Sequence, residues 1–329
     1  MKKPLVVLAA LAAIGLWATA ASAAASKCDR VLTPGEDLAR AAANCRTSTT
    51  FTIKDGSYKL SGPVQADSED VFKGVYSDGS RPQIDANGAS NAFYAGGTNG
   101  VTIRGLSVTG AKGGDWCEPA CGSAIKGQDG TNLHVINVRL HHNPNQGIGN
   151  PGEGFLLKNS EIDHNGRYSF TLLDRDSGKE TSSAAGIKIT NSSATFTNNE
   201  IHDNYWNGIW CDRFGGPLVA TGNDIYDNGK TGIQYETCKG QGSRIANNTV
   251  THNGHRHWRK RAVAGILLQG PQGVEVANNT LGGNRKYGIR LLKSDLQGIF
   301  GVRIHHNSLR KDNLKGCQFS GVNCWANGR

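Results

Sequence analysis

The phrase that starts at Asn199, "NEIHDNYWNGIWCDRF", and the phrase that starts at Asn223, "NDIYDNGKTGIQYETC", share their opening and differ at their end. Both pass through Gly-Ile. One and three places after that isoleucine stand Trp210 and Asp212 in the first phrase and Gln234 and Glu236 in the second; the preceding copy supplies Lys188, and Arg213 follows Asp212. Two cations and two carboxylates on neighbouring copies suit acid–base chemistry. A lysine removed from water beside other cations has a lowered pKa and can act as a base. Cations placed where negative charge develops supply electrostatic stabilisation. Adjacent carboxylates also fit the acid and base or nucleophile of glycoside hydrolysis, and Asp212 with Glu236 could hold calcium, although a full acidic calcium constellation is missing. The alternative without chemistry is a pair of surface acids bridged to Lys188 and Arg213.

Such residues need a repeating scaffold. The unit "N-x-(I/V/L)-x-x-N-…-G-I" recurs at Asn199, Asn223, Asn248, Asn279 and Asn307, with Ser160 and Val138 in the same slot of degenerate copies. The intervals are 24, 25, 31 and 28 residues. Each copy holds three short apolar, β-prone runs separated by Asn and Gly turns, which predicts an all-β parallel solenoid of about 8–10 coils with almost no helix. The recurring Asn reads as a turn residue that tolerates left-handed backbone and stacks its amide on neighbouring copies. The column His142, His164, Asp203, Asp227, His252 recurs with the turn and reads as a solvated turn column, not a ligand set.

Side chains alternate along a strand, so residues one and three places after each inward Ile face outward. The first such column is Lys126, Gly149, Lys188, Trp210, Gln234, Leu267, Arg290; the second includes Thr190, Asp212, Glu236 and Gln269. Strands about 4.8 Å apart bring these into one patch. Insertions precede Ile125, Ile187 and Ile266, one corner of the coil, as walls beside that sheet.

These repeats resemble the right-handed parallel β-helix superfamily, the pectate-lyase-like solenoids, over roughly residues 93–313. "LTPGEDLARAAANC" resembles the helical plug that closes such solenoids, with Thr33 as expected N-cap and Pro34 just inside; "FTIKDGSYKL" would begin the first coil. The resemblance implies a substrate cleft on the sheet beside the inserted loops. Trp210, with Trp258 and Tyr94 as neighbours, suits sugar stacking. Gln234, Arg290, Arg256, Arg259 and the rest of "HRHWRKR" suit binding of an anionic glycan, preferred over a merely solvated surface or nonspecific nucleic-acid binding. Uronate glycans are cut by β-elimination, with Lys188, Asp212, Arg213 and Glu236 as expected catalytic group and no required cofactor. Hydrolysis by Asp212 and Glu236, or a non-catalytic glycan-binding solenoid, are the alternatives. A "DPHD" signature of alginate epimerases is missing.

The composition agrees with an exported chain. Lys2 and Lys3 precede an apolar run and "ASA" at 21–23, so residues 1–24 read as a cleaved signal and 25–329 as one β-helix domain, capped at about 28–50 and 314–329. Nothing after it nears the roughly 18 apolar residues of a membrane span. Removing two lysines takes the formal charge from +9 to +7, still basic. Eight cysteines read as disulfides, Cys28–Cys45, Cys117–Cys121 and Cys317–Cys324 locally and Cys211–Cys238 across two repeats. An extracellular or periplasmic monomer acting on an acidic polysaccharide, with no specific nucleic-acid partner, is the expectation.

Overall fold

The structure is a computed structural model that describes residues 28–45, 48–112, 122–167, 184–213, 215–238, 240–255 and 263–324. The signal segment, the Cys117/Cys121 pair, most of the three insertions, and with them Arg256, Trp258 and Arg259, lie outside the described residues.

Short strands stack into three sheets of twelve, ten and nine strands, and neighbours within each sheet are one coil apart in sequence. Pairing is parallel and in register. In the ten-stranded sheet the predicted inward isoleucines Ile125, Ile148, Ile187, Ile209, Ile233, Ile266 and Ile289 pair in succession, and all are fully buried. Leu140, Ile162, Ile201, Ile225, Val250 and Leu281 form the matching ladder of the nine-stranded sheet. In the twelve-stranded sheet, Phe51 stacks on Phe72 with ring centroids 4.9 Å apart. Every coil thus places like on like, and one continuous apolar core runs through the solenoid. Among the described residues no helix is long and apolar enough to cross a membrane.

The asparagines form two internal ladders. Asn199, Asn223, Asn248 and Asn279 each donate Nδ2 to the Oδ1 of the next at 2.9 Å, the last acceptor being Asn307. The next Oδ1 also accepts the backbone N–H at 3.0 Å. The second Asn of each unit does the same from Asn143 to Asn284, where Asp312 ends the ladder by accepting at 2.7 Å. The expected left-handed backbone falls one residue earlier, at Asn198 and Asn247 before one ladder and at His142, His164, Asp203, Asp227 and His252 before the other. Turn and stack are therefore divided between neighbours. The buried amide is satisfied by its ladder, and its predecessor takes the φ that non-glycine residues usually avoid.

A six-residue helix, Leu38–Ala43, buries Leu38, Ala39, Ala41 and Ala42 in the same core. Its N-cap is Asp37, whose side chain accepts from Ala39 N at 3.0 Å, and not Thr33 as expected. Thr33 instead donates its N–H and hydroxyl to Glu36 in the turn before the helix. The first full coil begins at Thr50–Lys54 as predicted, but Arg30–Leu32 adds one more strand outside it. Disulfides join Cys28–Cys45, Cys211–Cys238 and Cys317–Cys324.

Candidate active site

Strands Ala185–Thr190, Asn207–Asp212 and Ile233–Glu236 of the ten-stranded sheet carry the residues of interest. The first outward column is as expected, with Lys126, Gly149, Lys188, Trp210, Gln234, Leu267 and Arg290 paired rung by rung. Thr190 pairs with Asp212 and Glu236 with Gln269 in the second. The inward residue between Trp210 and Asp212 is Cys211, and its disulfide to Cys238, two places after Glu236, ties together the rungs that bear both carboxylates. A covalent tie at that point limits relative movement of the two acids.

Outward does not mean exposed. Lys126 is 2% exposed, Lys188 8%, Trp210 7% and Gln234 3%, although none of them belongs to the solenoid core. The Lys188 ammonium lies 3.1 Å from Asp212 Oδ2 and 3.8 Å from the centroid of the Trp210 ring. Trp210 Nε1 donates to Glu236 Oε2 at 3.0 Å, and Gln234 Nε2 donates to the same oxygen at 2.6 Å. Trp210 was expected to offer an open ring to a sugar. Instead its face holds a cation and its N–H holds a carboxylate, because buried charges must be compensated by neighbours.

Burial lowers the Lys188 pKa below the usual lysine range; the Asp212 charge and hydrogen bond partly offset this, and the Arg213 charge adds to it. Lys126 is lowered too, first by burial and then by the charge of Lys188. Arg213 itself is exposed in a left-handed turn. Arg290, half-buried, lies with its guanidinium carbon 4.9 Å from the centroid of the Tyr287 ring, and its Nε has no hydrogen-bond partner.

A third column belongs to this face and escaped the alternation argument. Asn91, Ser123, Gln146, Ala185 and Asn207 pair in succession, two places before each Ile or its equivalent. A Cβ placed on Gly149, in the first outward column, would lie 2.1 Å from Gln146 Oε1 and 2.9 Å from Ser123 Oγ, so the two columns touch. The cause is the glycine of each Gly-Ile. A Cβ on Gly186, Gly208, Gly232 or Gly265 would lie within 3.0 Å of the ladder amides of Asn204, Asn228, Asn253 or Asn284. Glycine and isoleucine both point inward there, the period of two is broken, and the residue before the glycine faces outward. Lys230, one place further back and 4% exposed, reaches both indoles, 5.3 Å from the Trp206 ring and 5.7 Å from the Trp210 ring. The recurring glycine was the available signal for this column.

The calcium reading does not fit the residues present. Asp212 Oδ2 receives an ammonium, Glu236 Oε2 receives two N–H donors, and Lys126 and Arg213 add positive charge nearby. A hard cation seeks six or more oxygen ligands. Glu161, Asp163 and His202 do approach one another within 4.8 Å, but on the nine-stranded sheet, where Arg139 grips Asp163 with two 3.0 Å hydrogen bonds and lies 3.3 Å from Glu161. That group is an ion-pair network on another face.

Residues 150–309 match the family model described as right handed beta helix region. The fold is a right-handed parallel β-helix. Solved β-helix structures align along most of this chain. Alginate lyase from Paenibacillus sp. str. FPU-7 shares 13% identity with a TM-score of 0.59, over 87% of this chain and 96% of that one. The A-module of the Azotobacter vinelandii mannuronan C-5 epimerase AlgE6 shares 12% with a TM-score of 0.55, over 91% and 88%. The catalytic domain of a GH87 α-1,3-glucanase, in complex with nigerose, shares 14% with a TM-score of 0.54, over 91% and 68%. None of the curated proteins matches this β-helix chain. At such identities the shared property is the fold.

Proposed function

We propose that this β-helix protein is an exported polysaccharide lyase that cuts an acidic, uronate-containing glycan by β-elimination. The observation that carries the reading is Lys188, a covered lysine held between Asp212 and Trp210 on the sheet floor, its pKa lowered by burial. In the proposed reaction the neutral Lys188 amine takes the C5 proton of a uronosyl residue. The C5–H electron pair becomes the C4–C5 double bond as the C4–O bond to the leaving sugar breaks; the leaving oxygen takes up a proton from water, and Lys188 returns its proton to solvent before the next turnover. Charge that builds toward the substrate carboxylate is met by Lys126 and Arg213, cations fixed before the reaction starts. Asp212 and Glu236 hold Lys188, Trp210 and Gln234 in place.

Hydrolysis asks one carboxyl to donate a proton. Here Asp212 accepts from Lys188, and one oxygen of Glu236 accepts from two donors, an arrangement that favours elimination. The structural likeness to an alginate lyase and to a mannuronan epimerase is compatible with the same first proton transfer, which elimination and epimerisation share. The test is incubation with a panel of acidic glycans, following ultraviolet absorbance of unsaturated uronate together with reducing ends. Elimination raises both. Reducing ends without unsaturation would replace this reading with hydrolysis by Asp212 and Glu236, and tight binding with neither product would replace it with a glycan-binding solenoid.

A further inference from the structure

Three side chains on two adjacent rungs of the floor keep buried polar atoms without partners. Asn207 is 0% exposed, and neither Oδ1 nor Nδ2 makes a hydrogen bond; Thr231 is also 0% exposed with its Oγ1 unpaired, and Gln234 leaves Oε1 unpaired. Unpaired buried groups of this kind are rare in folded proteins because each carries a desolvation cost that nothing offsets. The ladder amides Asn204, Asn228 and Asn253, within a few residues of Asn207, are by contrast hydrogen-bonded to one another. The ladder asparagines point inward, and Asn207 belongs to the outward column.

The three residues are neighbours. Gly208 N donates to Thr231 O at 2.9 Å, which sets Asn207 beside Thr231, and Gln234 pairs with Trp210 on the same two strands. Trp206 and Trp210 flank Asn207 in sequence, and the Lys230 ammonium lies within 6 Å of both ring centroids. The group offers an amide donor, two carbonyl acceptors and a hydroxyl that serves either way, set among two indoles and a lysine. Adjacent ring hydroxyls, each both donor and acceptor, complement such a set; a phosphate or a metal ion, being acceptor-only or cationic, does not.

We propose that Asn207, Thr231 and Gln234 form a saccharide subsite that receives the hydroxyls of one sugar ring, with Lys230 beside it for an acidic substituent of that ring. The subsite rests on the reading of this sheet as the glycan-binding floor, and it supplies positioning distinct from the Lys188 chemistry. Asn207 and Thr231 are fully covered in the free protein, so the sugar reaches them only as their covering side chains part; the unpaired atoms are then satisfied and their desolvation cost is recovered on binding.

The test pairs stability with binding in Asn207→Leu and Thr231→Val, near-isosteric changes that delete the unpaired polar atoms. Thermal melting of the free protein is compared with calorimetric titration of short oligosaccharides, acidic oligouronates and neutral oligoglucans. The expected result is a melting temperature unchanged or raised in both variants, with saccharide affinity about tenfold weaker for Asn207→Leu. A lowered melting temperature would show a structural role and overturn the subsite. Unchanged affinity with unchanged melting would overturn it as well, as would a wild-type protein that binds no saccharide. Weakened binding of a neutral glycan alone, with oligouronates ignored by the wild type, keeps the subsite and removes the uronate-lyase reading and the role of Lys230.

Discussion

Trp210 Nε1 donates to Glu236 Oε2 across adjacent rungs at 3.0 Å, and the face of the same indole carries the Lys188 ammonium at 3.8 Å. One side chain therefore connects the proposed base with the carboxylate of the next rung. The ring quadrupole attracts the cation and the N–H attracts the anion. Both attractions are strengthened by burial, since water competes less for the groups. The indole acts as a spacer that holds opposite charges apart.

Replacing Trp210 with Phe keeps an aromatic face and removes the N–H. The expected outcome is a fall in kcat of about tenfold or more with KM nearly unchanged, because the base and Glu236 lose their relative placement while the substrate surface changes little. Steady-state kinetics on the cleaved glycan decide it. A raised KM at unchanged kcat would return Trp210 to the role of sugar platform that its place in the sequence first invited.

Asp212→Asn and Glu236→Gln should each lower turnover by about a hundredfold while circular dichroism stays that of the folded wild type, as neither side chain belongs to the apolar core; melting falls where a buried partner loses its compensating charge. Asp212→Asn carries an additional pH signature. The Asp212 charge and hydrogen bond raise the Lys188 pKa against the larger lowering by burial. Removing that charge lowers the pKa further. If the neutral amine is the active form, kcat/KM rises with pH through a lysine pKa below the usual 10.5, and in Asp212→Asn the rise moves to lower pH. A rise displaced toward higher pH would reject Lys188 as base, and full unsaturated-product formation by Lys188→Ala would do the same.

Asn248 sits in the middle of a ladder, donating to Asn279 Oδ1 and Ala220 O at 2.9 Å and accepting from Asn223. Asn248→Ala leaves several buried partners unmatched and should cost about 1–3 kcal/mol of stability. Specific activity of the folded fraction should be unchanged, because the ladder lies inside the coil. Urea unfolding and activity per folded molecule are the paired measurements; lost activity at full stability would contradict the scaffold role.

The ladder and the outward columns were legible in the sequence because each has a fixed offset from Gly-Ile, and a solenoid converts sequence period directly into spatial stacking. Lys188, Trp210, Asp212, Gln234 and Glu236 were placed on the correct rungs for that reason. Asn207 and Thr231 were missed because strict alternation assigns them to the interior, whereas steric exclusion at Gly208 and Gly232 turns glycine and isoleucine inward together. The closeness of Lys188 to Trp210 and the burial of both depend on side-chain conformations across the rungs, which no repeat encodes. The helix start moved from Thr33 to Asp37 because two capping side chains lie four residues apart and Thr33 is engaged by Glu36.

His141 offers a measurement on the nine-stranded sheet, away from the proposed chemistry. Its Nε2 lies 3.1 Å from Ser107 Oγ and its Nδ1 2.9 Å from His142 Nδ1, with Asp163, Arg139 and His164 nearby. Burial lowers its pKa from 6.5 to about 4; Asp163 opposes the shift, and Arg139, His142 and His164 reinforce it. A base with a depressed folded pKa stays neutral in the native state while the unfolded chain takes up a proton. Its contribution therefore destabilises the fold as pH falls from 6.5 toward 4 and levels off below, by at most about 3 kcal/mol. His202 works in the opposite sense, since burial lowers its pKa but Asp203 and the surrounding acids raise it above the ordinary value; wild-type acid sensitivity is the difference of such terms. Comparing wild type with His141→Gln isolates one of them. Urea unfolding at intervals between pH 6.5 and 4 should show the two stability curves converging toward acid, with the variant losing less. Parallel curves across that window would show that His141 takes up its proton in the native protein as readily as in the unfolded chain.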